Sequence, residues 1–136
     1  MRSKMVSIAL PTLLIGLSLP AIGMARRLSA NTIDPVATLT DCGARLVVTG
    51  PLRTTQVEWI DMRVTITQRT TGALAEGKLR LLGTGLDQRW QVEAEVRGDT
   101  AFEPGPATAV ALAVTTSQGL PTDAHQWLVP VVVQER

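Results

Sequence analysis

Residues 88–97 alternate in polarity almost without a break: Trp90, Val92, Ala94 and Val96 at every second position, with Arg89, Gln91, Glu93, Glu95 and Arg97 between them. A helix would mix the two sets on one surface, whereas a strand sends them to opposite faces. The stretch predicts a β-strand with one side on a core and the other in water.

Neighbouring segments carry the same signal. Residues 36–40 and 45–49 are β-branched runs around Asp41, Cys42, Gly43 and Ala44, which predicts a hairpin closed by Gly50 and Pro51. Residues 57–69 place Ile60, Met62, Val64 and Ile66 on one face and Trp59, Asp61, Arg63, Thr65 and Thr67 on the other. Thr70, Thr71 and Gly72 turn the chain into a strand over 74–82, which Glu76 and Gly77 interrupt and Gly83 to Gly85 end. Residues 98–106, with two prolines and two glycines, read as a long connection pinned to the core by the lone Phe102. The Ala/Val run at 108–116 predicts a central strand covered on both sides. A last strand over 125–134 contains Pro130, which cannot donate to a ladder and so marks a sheet edge or a bulge.

The start of the chain has a different character. Arg2 and Lys4 precede an uncharged run at residues 5–25, interrupted by Pro11 and Pro20 and ending in Gly23, Met24 and Ala25. This is the layout of a secretory signal peptide, and the small residues place cleavage after Ala25, with an uncleaved membrane anchor as the alternative. Residues 26–33 then read as a short flexible tail, and residues 34–136 as one domain. The expected location is outside the cytoplasm, secreted or periplasmic, with a mature form that does not span the membrane. The formal net charge of +1 includes Arg2 and Lys4, so the remainder is close to neutral. That argues against nucleic acid as a partner, because such binding needs a concentrated positive surface.

One cysteine, Cys42, cannot form an internal disulfide, so the core must hold by packing. Unpaired cysteines are among the most buried residues, and burial is the expectation for Cys42. A free thiol and a bridge linking two chains are the alternatives.

Seven short strands with no helix in the domain predict an all-β fold, an immunoglobulin-like sandwich of two layers, with a small closed barrel as the alternative. Trp90 and Trp127 fall on the predicted core faces. The order of features also resembles small secreted bacterial proteins with immunoglobulin-like β-sandwich domains. Residues 64–68, 88–92, 102–107 and 122–127 carry the likeness. It implies export and a sandwich, and it brings no catalytic residue with it.

The densest set of reactive side chains is Ser117, Asp123 and His125, the last being the only histidine. A hydrolytic triad also needs an oxyanion hole and a nucleophile turn. Neither has a sequence signature here, so a turn is the expected role. One His and one Cys do not make a zinc site. Asp41, Asp87, Asp99 and Asp123 are expected as turn residues rather than metal ligands, and no cofactor is expected. Trp59 stands out, because it lies on the polar face beside Asp61 and Arg63. These three are the candidate binding residues, for a protein partner or, alternatively, a glycan stacked on Trp59. The expectation is a non-enzymatic exported binding module, with a hydrolase using residues 117–125 as the third reading.

Overall fold

In the computed structural model the described residues are 27–136, so the expected export segment and its cleavage site lie outside the described residues. The alternating stretches become strands: β1 (Leu28–Asn31), β2 (Val36–Thr40), β3 (Arg45–Thr54), β4 (Glu58–Gln68), β5 (Ala73–Gly83), β6 (Gln88–Val96), β7 (Gly105–Ser117) and β8 (Leu120–Glu135). A short 3-10 turn at Asp41–Gly43 joins β2 to β3. The segment expected as a tail is built into the sheet, since β1 pairs with β3 through Leu28↔Thr54 and Asn31↔Leu52, and both Leu28 and Ile33 are buried.

The fold is all-β, but it is not two layers. β3 pairs along one side with β6, from Arg45↔Glu95 to Leu52↔Gln88, and along the other with β2 and β1 laid end to end. The ring runs β2, β3, β6, β5, β4, β7, β8 and returns to β2, which closes the sheet as a barrel of seven positions. The sandwich expectation is corrected by β6: it makes only the pairs Ala75↔Val96 and Glu76↔Glu95 with β5 and then continues along β3. A ring with an odd number of strands cannot alternate in direction throughout. One neighbouring pair must be parallel, and here it is β2 with β8, from Val36↔Val132 to Leu39↔Glu135.

Two prolines sit where this arrangement needs no donor. In a strand the N–H groups of residues i and i+2 point to the same side. Val132 N–H donates to Pro35 O at 2.8 Å, so the nitrogen of Pro130 faces the same side, at the point where the β2–β8 ladder stops. Thr49 O accepts from Asp34 N–H at 2.8 Å, so the nitrogen of Pro51 faces the irregular link between β1 and β2. Gly50 and Pro51 therefore do not end β3, contrary to the sequence expectation. Gly50 is required instead by contact: a Cβ there would lie 2.2 Å from Thr32 O and 2.7 Å from the Trp90 ring. Gly77 likewise does not interrupt β5. A Cβ on it would lie 2.5 Å from Val92 and 2.7 Å from Glu93 O, so the glycine lets β5 and β6 converge at the corner of the barrel.

Inward residues fill the barrel. Leu46, Val48, Leu52, Ile60, Val64, Ile66, Trp90 and Val92 supply bulk, and the small Ala107, Ala109, Ala111 and Ala113 of β7 face them. The outside carries Arg63, Lys78, Arg80, Glu93 and Glu95, each exposed. Apolar inside and charged outside is the reverse of a transmembrane barrel. β7 is consequently covered on one side only, and Leu112 stands exposed on its outer face, which corrects the expectation of a strand buried on both sides. Cys42 is also exposed rather than buried. It lies in the 3-10 turn with φ of 54°, where the chain reverses and no strand face directs the side chain inward.

Each end of the barrel is closed differently. At the end holding the β2–β3 turn, Phe102 is buried as expected, and Gln68 fixes its loop. Gln68 Nε2 donates to Glu103 O at 2.8 Å, and its Oε1 accepts from Glu103 N–H at 3.0 Å. At the opposite end Glu58, with a side chain only 2% exposed, accepts from Arg27 Nη1 at 2.6 Å. Its carboxylate also accepts from Gln56 Nε2 at 3.1 Å and Thr122 Oγ1 at 2.5 Å. Arg27 is thus the counter-ion of a buried carboxylate, one residue beyond the chain start that cleavage after Ala25 would create.

Two substitutions test these assignments. Gly50→Ala should lower unfolding stability by about 2 kcal/mol or more, because backbone and the Trp90 ring leave no room for the methyl group. Arg27→Ala should cost about 2 kcal/mol, because it leaves Glu58 buried without its cation. Both are read as shifts of the denaturant midpoint at constant m-value.

Candidate binding groove on the outer wall

The tight turn after Gln68 sets β4 and β5 in register, so Asp61 lies opposite Arg80 and Arg63 opposite Lys78. On the other side of β4, Asp61 faces Val114 and Arg63 faces Leu112 of β7. These outward side chains bound a surface groove of about 440 Å³ whose apolar lining on the outer wall comes from Leu112 and Val114. Asp61 and Arg63, both expected as binding residues, line it. Trp59 lies two residues along β4, on the same outer face and opposite Leu82.

Trp59 is 46% exposed, so no bulge turns it into the core. The Arg80 guanidinium sits 5.0 Å from its ring centroid and is also 3.5 Å from Asp61. Arg63 and Lys78 form no ion pair with the described acidic side chains, although Lys78 also lines a cleft with Glu76, Glu93 and Glu95. The groove thus combines two cations outside the ion pairs with apolar Leu112 and Val114. Beyond β7 the apolar surface continues, since Val110 of β7 is paired with exposed Leu128 of β8.

The other candidates do not assemble. Ser117 lies opposite Leu120 and His125 opposite Ala113, four residues apart along β7, which at ~3.3 Å per residue separates them by about 13 Å. Asp123 Oδ2 accepts from the Arg27 backbone N–H at 2.9 Å and its Oδ1 from Ala124 N–H at 2.9 Å. The His125 ring is 5.2 Å from that of Trp127. Asp123 is therefore part of β8 rather than a turn. Asp41 and Asp99 belong to one end of the barrel, Asp87 and Asp123 to the other. Among the described residues no three of His, Cys, Asp and Glu form a group able to hold a metal ion.

Sequence reasoning found Trp59, Asp61 and Arg63 but missed Lys78, Arg80, Leu112 and Val114. The two cations were within reach, because a tight hairpin fixes which residues oppose each other. Leu112 and Val114 arrive through the β4–β7 ladder, which no local signal encodes.

Comparison with known proteins adds little. No protein-family model matches the sequence, and no curated protein matches it. A solved structure of the alkylpurine DNA glycosylase AlkC from Pseudomonas fluorescens, bound to DNA containing an abasic site analogue, is 20% identical with a TM-score of 0.35. The match covers 79% of this chain and 30% of that one.

Because Trp59 is on the surface, Trp59→Ala should lower stability by no more than about 1 kcal/mol, the scale of one exposed cation–π contact and partial burial. Thermal unfolding of the variant checks this; a loss typical of core tryptophans, about 3 kcal/mol or more, would place Trp59 in the core.

Proposed function

We propose that this chain is a non-enzymatic binding module that works outside the cytoplasm and holds a protein partner in the outer-wall groove. The observation that carries the reading is the placement of Arg63 and Lys78, which form no ion pair with the described acidic side chains, beside Leu112 and Val114, with Leu112 exposed. A partner segment with acidic and apolar side chains would satisfy both at once. Trp59 and Arg80 form the rim at one end. The export reading rests on the residue pattern of positions 1–25, and the near-neutral remainder supports a protein over a nucleic acid.

A glycan stacked on Trp59 is the second reading, favoured by the exposure of that ring. The Arg80 guanidinium already occupies space over it, which weighs toward the protein partner. The chemistry needed for hydrolysis at residues 117–125 is not supported by the separation of Ser117 and His125.

The test is a crosslinked pull-down of the tagged protein from native envelope and medium fractions, comparing wild type with Trp59→Ala and with the double variant R63E/K78E. Expected is a specific protein captured by wild type, diminished by Trp59→Ala and lost with the charge reversal. Identical profiles for all three would remove the groove as the site. Retention on a glycan array that Trp59→Ala abolishes would favour the second reading.

A further inference from the structure

The strands β3, β5 and β7 all finish at one end of the barrel, so the turns that follow them gather there. Those turns expose large apolar side chains at their tips. Val57 after β3 is 64% exposed, Leu86 after β5 is 68%, and Leu120 at the start of β8 is 69%. Leu82 and Trp59, also exposed, border the same end on the outer wall. The opposite end bears the turn with Asp41 and Cys42 and the loop of residues 97–104; its Phe102 is buried, and Leu74 at the start of β5 is 39% exposed.

The charges at the apolar end largely neutralise one another. Arg27 pairs with Glu58, Arg53 with Asp87 at 3.3 Å, and Arg80 with Asp61. Each of the three turns then presents one large apolar side chain among exposed polar neighbours such as Gln56, Thr84 and Gln118, with a tryptophan beside them. The chain also continues from this end: Arg27, bound to Glu58 and Asp123, is joined through Arg26 to the uncharged run at residues 5–25.

We infer that this end of the barrel is a membrane-docking face, with Val57, Leu86 and Leu120 entering the boundary between headgroups and acyl chains of a lipid bilayer. Apolar tips gain by leaving water. A tryptophan at their margin suits the headgroup level, where an amphipathic ring meets both phases. Where the apolar run at residues 5–25 is kept as an uncleaved anchor, its length suits a bilayer, and the chain continues from it into the barrel at the end that bears the tips. Because the local ion pairs are internal, docking depends little on anionic headgroups or salt. The surface adjoins the groove at Trp59 and Arg80, and this inference does not rest on that reading.

Lipid vesicles test it in two arms. In the first, the full chain carries an environment-sensitive dye either on native Cys42 or, in the variant C42S/L86C, at position 86. With phosphatidylcholine vesicles, emission at position 86 should shift to the blue and be quenched by shallow nitroxide lipids, while the dye on Cys42 stays as in water. In the second, the chain starting at Arg26, which keeps all described ladders and the whole core, is sedimented with vesicles of phosphatidylcholine alone or mixed with phosphatidylglycerol. Binding should be similar for both lipids and persist in high salt, and V57S/L86S/L120S should weaken it at least tenfold without lowering the melting temperature. Equal dye environments at the two positions overturn the inference. So do binding confined to the anionic vesicles and abolished by salt, binding by the triple variant equal to wild type, or no binding by either protein. Self-association that the triple variant abolishes, without vesicle binding, would assign the tips to a second copy of the chain.

Discussion

The ladder between β3 and β6 is the contact on which the architecture depends. Without it, β6 would remain an edge held to β5 by two pairs, and the inward faces of β3 and β4 would lack an opposite wall. With it, one strip of sheet becomes a closed surface, and the alternation along each strand acquires a single meaning, inside or outside. Gly50 and Gly77 mark how tightly closure draws the chain together, since each lies where a methyl group would strike the neighbouring strand or its side chains. Closure also removes most free edges, which would otherwise be open to unwanted pairing. Stretches that keep an open edge include β8 before Val132, where Pro130 ends the ladder toward β2, and β5 from Gly77 to Gly83, which pairs with β4 alone.

Closure distributes chemistry as well as apolar area. Since a barrel has one interior, polar groups that cannot be satisfied on its wall collect at its ends. Gln68 and the loop holding Phe102 seal one end, and Glu58 with Arg27 and Thr122 seals the other. The wall is then free to carry a binding surface. A groove in which Arg63 and Lys78 flank exposed Leu112 arises because β4 lies between β5 and β7, so cations from one hairpin meet an apolar strand from a distant part of the sequence.

Individual residues show how far reading the chain from its residues reaches. Trp59, Asp61 and Arg63 were identifiable because β4 alternates cleanly, and the structure leaves Trp59 on the outer face that alternation assigns to it. Phe102 was identifiable as the anchor of its loop because no other large apolar residue lies near it. Cys42 was misread, since a general preference for burial says nothing about a turn with a left-handed backbone. Ser117 and His125 looked adjacent along the chain and are held apart by the β7–β8 register, because a hairpin separates residues by ladder distance rather than by sequence distance.

By itself the sequence determined the all-β character, most of the strands and the face on which each side chain lies, because period-two alternation and turn residues are local properties of the backbone. Only the tertiary structure decided between a sandwich and a barrel. That choice turns on whether β6 continues with β5 or passes to β3, and on the parallel pairing of β2 with β8. Both pairings join segments far apart in the chain, and they are selected by how the buried side chains pack together, which no single stretch of residues encodes.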